Sequence, residues 1–172
     1  MILAGHRGRM MGAAMNKEKR LGAIKEAFQY SVQNVGKLSK RDLLFLGLGL
    51  YWGEGNKNAE NQFIFVNSDL FVIKTIIKWL QNVMGIPQEL LSPQVYINDL
   101  HQYRVDKVVS FWSKELSIPK DRFGKTILIH VQNKKVYANH NNYMGTLHLY
   151  VQRSSILKYR TMAMLETTKV QI

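Results

Sequence analysis

Glu54 closes the segment Gly47-Leu-Gly-Leu-Tyr-Trp-Gly-Glu-Gly55 and is the sequence's clearest candidate for chemistry. The run that leads to it from Leu43 is apolar almost all round, which predicts a largely buried helix with an acid at its end. Gly49 and Gly53 are four residues apart and share one helical face, with Gly47 offset to the side. Each glycine in a helix costs roughly 0.5–1 kcal/mol relative to alanine. Three glycines so close together therefore point to a close approach by another helix. If that helix is the same one in a second copy, Gly47, Gly49 and Gly53 form the dimer interface and two Glu54 carboxylates emerge side by side. Such a pair makes a hard-oxygen site for Mg²⁺ or Mn²⁺, with the Gly53 carbonyl as a further ligand. Paired acids holding a divalent ion over a DNA groove are suited to phosphodiester hydrolysis. The same residues equally fit a buried helix whose glycines accommodate bulky neighbours such as Trp52.

Charge indicates the kind of partner. The 172 residues carry 24 Lys and Arg against 12 Asp and Glu, a formal net charge of +12. Residues 1–41 contribute +7, residues 42–119 contribute −2, residues 120–160 contribute +7, and the last twelve balance. Two basic blocks around a mildly acidic middle suit a polyanion. With 46% apolar and 21% charged residues the composition is that of a folded protein. The absence of cysteine excludes disulfide scaffolds, zinc ribbons and thiol catalysis. The longest apolar stretch is eleven residues, Leu43 to Gly53, far short of the roughly 20 that a membrane span needs. A cytoplasmic protein without membrane contact is expected.

The elements that must position these groups follow from periodicity. Residues 1–36 read as a basic arm with one short helix around Leu21, Ile24, Ala27 and Phe28, ahead of a domain over 37–172. Ser39 caps the glycine helix, and Gly55-Asn-Lys-Asn58 ends it. A short strand at Gln62–Asn67 precedes a helix capped by Asn67-Ser-Asp69, with Leu70, Ile73, Ile76, Ile77, Leu80, Val83 and Met84 on one stripe. A strand at Gln94–Asn98 leads to a helix from His101 to Leu116. Strands follow at Thr126–Gln132 and Met144–Gln152, and Ser154 caps a last helix through Ile156, Leu157, Arg160 and Leu165. The result is an α+β domain, a small sheet covered by helices.

Alternation in the strands divides a dry face from a wet one. Val95, Ile97, Ile127, Ile129, Val131, Leu147, Leu149 and Val151 take the dry side. Gln94, Tyr96, Asn98, Thr126, Leu128, His130, Gln132, Thr146, His148, Tyr150 and Gln152 take the other. Amides, hydroxyls and rings with few carboxylates can donate and accept at base edges, while Lys57, Lys125, Lys134, Lys135 and Arg153 can meet phosphates. An ordinary solvated face is the competing explanation. A third, a His/Asn metal finger from His130, His140 and His148 with Asn139, Asn141 and Asn142, is disfavoured because two of these histidines fit plain strand positions.

The segment Gly47–Gly55 resembles a divergent LAGLIDADG motif, the signature of a class of homing endonucleases and their DNA-binding relatives. The third and seventh positions of that motif are small (Gly49, Gly53), the eighth is the metal-binding acid (Glu54) and the ninth is glycine (Gly55). Gly47 stands where leucine is usual, and Trp52 where an acid is common. Phe65-Val-Asn-Ser-Asp69, Phe111-Trp112 and Tyr143–Tyr150 are similar to a bacterial and archaeal subgroup, so the likeness covers about residues 40–165. One motif per chain implies a homodimer through the glycine helix, and an antiparallel, saddle-shaped sheet lying in the major groove of a roughly palindromic duplex site. It further implies Mg²⁺- or Mn²⁺-dependent cleavage at Glu54. A strand-end cation, Lys125 first, would stabilise the charge that develops on the phosphate. Non-catalytic DNA-binding regulators with the same fold are the alternative.

Overall fold

The computed structural model describes residues 2–130 and 142–172, with side chains from Met10 onward. The chain divides into two compact units, 1–39 and 40–172. The first is a single helix, α1 (Ile2–Val35), far longer than the short helix with loose flanks expected from sequence. Its side chains from Met10 to Val35 are exposed except for half-buried Ser31, and this explains the weak sequence signal: no core imposes a strong period on it.

The second unit contains α2 (Lys40–Glu54), β1 (Ile64–Asn67), α3 (Leu70–Asn82), β2 (Leu91–Asn98), α4 (Val105–Leu116), β3 (Gly124–Ile129), β4 (Thr146–Val151) and α5 (Ser155–Val170). A 3₁₀ segment at Asp99–Arg104 delays α4 by four residues relative to its expected start. The expected order of helices and strands is present, and the class is α+β.

The four strands lie in the order β1-β4-β2-β3. β4 pairs antiparallel with both β1 and β2, but β3 pairs parallel with β2. The sheet is thus mixed rather than antiparallel, and α4 provides the crossover that a parallel pair requires. Along β2 and β4 the alternation is as expected: Val95, Ile97, Leu147, Leu149 and Val151 are buried, with half-buried residues between them.

β3 departs from expectation. Gln94 pairs with Gly124, yet Tyr96 pairs with Ile127, so β3 carries one extra residue between these points. A one-residue insertion reverses the faces beyond it. Ile127 and Ile129 therefore stand beside Tyr96 and Asn98 on the wet side, while Leu128 pairs with Ile97. All three are exposed, so the expected dry side of this strand is absent in Ile127 and Ile129.

The core unites the dry sheet face with Ile73, Ile76, Ile77 and Leu80 of α3 and Val108, Trp112 and Leu116 of α4. Asp69 caps α3, its carboxylate accepting from the amides of Phe71 and Val72 at 2.7 and 3.1 Å. Ser154 does not cap α5 with its side chain: its hydroxyl accepts from the buried Phe63 amide at 2.9 Å. The last helix runs through Ile156, Leu157, Arg160 and Leu165 as expected; its buried stripe is Leu157, Lys158, Thr161 and Leu165, and Ile156 and Arg160 are exposed.

Candidate nucleic-acid interface

Two sides of α2 use their glycines differently. Gly47 is buried, and a Cβ there would fall inside the Trp79 indole of α3. Its close approach is made within the chain, so Gly47 is withdrawn from the expected dimer interface. Gly49 and Gly53 meet nothing within 4 Å, and Phe45, Leu46 and Trp52 are exposed around them. This side of α2 is open in the protomer.

The end of α2 is held by a lysine that sequence reasoning passed over. Lys158, only 2% exposed, donates to the Tyr51 hydroxyl at 3.0 Å and to the carbonyls of Asn56 and Lys57 at 2.7 and 3.3 Å. Burial, and secondarily the nearby Lys57 ammonium, hold its pKa below the ordinary lysine value, while burial pushes Tyr51 up to about 12. Gly55 continues the same device. A Cβ there would overlap the Tyr51 ring and carbonyl oxygen, and the residue bridges to Phe65 of β1. The signal in the sequence was a lysine between Leu157 and Thr161 on the inner stripe of α5, where a base has no solvent to face.

Glu54 is exposed at this tip. Lys57 donates to the Trp52 carbonyl at 2.7 Å and lies 3.5 Å from that of Gly53, so it closes the helix end from the side expected to face phosphate. Lys125 is exposed on β3, the far edge of the sheet from the β1 edge that Gly55 joins. Three strand spacings, about 14 Å, separate those edges, so one protomer does not bring Lys125 to Glu54.

The wet face is a packed row. The rings of Tyr96 and His148 stack with centroids 3.6 Å apart and planes at 17°. The Tyr96 and Tyr150 hydroxyls are 3.2 Å apart, and the Tyr150 ring lies 6.3 Å from His148. Burial holds the His148 pKa below the usual histidine range, so at pH 7 the imidazole is neutral, with one donor and one acceptor. Burial first, then the neighbouring Tyr96 hydroxyl, push Tyr150 up to about 12. Thr146 is 3.4 Å from the Tyr143 hydroxyl.

Some expected readers are partly committed within the protein. Gln94 donates its amide to the Lys125 carbonyl at 2.7 Å, and the Asn98 side chain accepts from the Leu100 amide at 2.9 Å. His130 lies 2.7 Å from the Asp99 carboxylate. Gln152 and Arg153 are exposed beyond β4, with Arg153 at a positive φ of 51°. Gln132, Lys134, Lys135 and His140 lie outside the described residues.

For a metal, each protomer offers the Glu54 carboxylate and the carbonyls of a helix end, and no cluster of three His, Cys, Asp or Glu occurs among the described residues. One carboxylate falls short of the oxygen set that a hard divalent cation takes. No described helix is long and apolar enough to cross a membrane. Compared with protein-family models, curated proteins and solved structures, the chain matches none of them.

Proposed function

We propose that this chain is a metal-dependent, site-specific double-strand DNA endonuclease of the LAGLIDADG homing type, acting as a homodimer on a roughly palindromic site. The observation that carries the reading is the row of Gln94, Tyr96, Thr146, His148 and Tyr150 on one sheet face, neutral and rich in hydrogen-bonding groups, in a chain of net charge +12. Such groups suit the major-groove edges of bases, and the surrounding cations suit phosphates.

The open Gly49/Gly53 side of α2 supports pairing with a second copy, and Glu54 is the last residue of the same helix. Glu54 of both copies, with the Gly53 carbonyls, would hold Mg²⁺ or Mn²⁺. A divalent cation bound there supplies Lewis-acid polarisation of a phosphodiester. Lys57 exchanges its carbonyl contacts for a phosphate oxygen, releasing the Gly53 carbonyl. Lys125 and Arg153 grip flanking phosphates, while Lys158 and Tyr51 fix the turn behind Glu54.

A second reading, a non-catalytic DNA-binding module, is favoured by one observation: the Lys57 ammonium lies beside the Gly53 carbonyl that a metal would use. Incubation with a randomised duplex pool in Mg²⁺ or Mn²⁺ separates the two. Cleavage that Glu54→Gln abolishes, with duplex affinity retained, is the expected outcome. Binding without cleavage by the wild type establishes the second reading, and cleavage that survives the substitution contradicts the role of Glu54.

A further inference from the structure

In α1 the charge is distributed unevenly along the helix. Residues 2–20 carry five bases (Arg7, Arg9, Lys17, Lys19 and Arg20) against Glu18, while residues 21–35 carry only Lys25 and Glu26 and are neutral. Within the neutral half, Leu21, Ile24, Phe28, Val32 and Val35 are all exposed, Ile24 by 57% and Phe28 by 69%. At 100° per residue these five fall within an arc of about 80°, narrower than the stripe a helix turns to a domain core and typical of a coiled-coil seam. Tyr30, equally exposed, lies on the opposite side.

Four glycines (Gly5, Gly8, Gly12 and Gly22) lower the intrinsic stability of this helix. We infer that the occupant of the seam is residues 21–35 of a second copy, aligned in parallel and in register. A neutral segment can meet its own copy without net repulsion, and its period matches itself. In this alignment Leu21, Phe28 and Val35 take one set of core positions and Ile24 and Ser31 the other, with Ala27 beside Val32 of the second helix. Lys17 falls on the next core position toward the N-terminus and ends the seam, as does the like-charged approach of Arg20 to Lys25. A seam of two heptads is short, so α1 is a second, weaker contact within the dimer proposed above. It rests on that reading only for the proximity of the two chains.

The cysteine-free sequence allows a direct test by disulfide capture in the full-length protein. Single variants Ile24→Cys and Tyr30→Cys, both at exposed sites, are oxidised with glutathione in parallel. Covalent dimers forming roughly tenfold faster at position 24 are expected, because a seam raises the local concentration of one thiol about the other. Equal rates, or monomers at both positions, overturn the inference. Repeating Ile24→Cys with Gly49→Ile separates the two interfaces: dimers that persist there establish an α1 seam whether or not α2 pairs, and dimers that form only with Gly49 intact establish a seam that α2 pairing holds together.

Discussion

Gly47 and Gly49 lie two residues apart on one helix, and their surroundings are opposite. At Gly47 the missing side chain admits the Trp79 indole, so the glycine is part of the core. At Gly49, and again at Gly53, nothing within the protomer occupies the space. Packing inside the chain accounts for the first glycine and leaves the helix penalty of the other two without a return, unless another molecule provides it. The same residue type thus marks a fold constraint on one side of α2 and a candidate contact on the other.

Substitution at the two positions should separate these roles most strongly. Gly47→Leu would have to displace a fully buried tryptophan, and urea unfolding should show a loss of about 3 kcal/mol, the upper end of what overpacking costs, or no folded protein. Gly49→Ala should instead stabilise the protomer by about 0.5–1 kcal/mol, through helix propensity alone. A Gly49→Ala variant destabilised as a monomer would place a neighbour from within the chain on that side and break the comparison.

Lys158 tests how the end of α2 is held. Lys158→Met removes the donor for the Asn56 and Lys57 carbonyls and for the Tyr51 hydroxyl, and a loss of about 1–3 kcal/mol is expected in thermal or urea unfolding. A neutral result would show that the turn behind Glu54 is set by Gly55 and β1 without the lysine.

The smallest effect belongs to the sheet face. With its pKa held below the ordinary value by burial, folded His148 stays neutral where the unfolded imidazole takes up a proton. Stability therefore falls as pH drops below about 6.5, toward the depressed folded pKa. His148→Gln should remove this part of the acid slope, read as the change in urea midpoint between pH 7 and pH 5. An unchanged slope would mean that the Tyr96 stack does not shield the ring.

Much of this arrangement was legible from residue order. The stripes of α3 and α4, the alternation of β2 and β4, and the Asp69 cap follow from local periods that tertiary packing obeys. What escaped depends on long-range partners. The extra residue of β3 appears only when it is paired with β2, and it moves Ile127 and Ile129 to the other face. The parallel direction of β3 is likewise a matter of crossover, which alternation does not encode. Ser154 just before α5, and Lys158 and Thr161 on its buried stripe, are polar residues that bond to Phe63, the turn after α2 and the Leu157 carbonyl, so the apolar period was blurred. At the candidate site, the position of Glu54 at a helix end was evident from its own segment, whereas Trp79 as the partner of Gly47 is 32 residues away.

The proposed dimer depends on two Gly49/Gly53 faces that meet and set two acidic tips together. Its most direct test is a single cysteine in place of Glu54, in a chain that has none. Mild oxidation of Glu54→Cys on duplex DNA should trap a covalent dimer, since a disulfide requires Cα atoms within about 7 Å, and adding Gly49→Ile should abolish it. Monomers under the same oxidation, or a dimer indifferent to Gly49→Ile, would contradict the account.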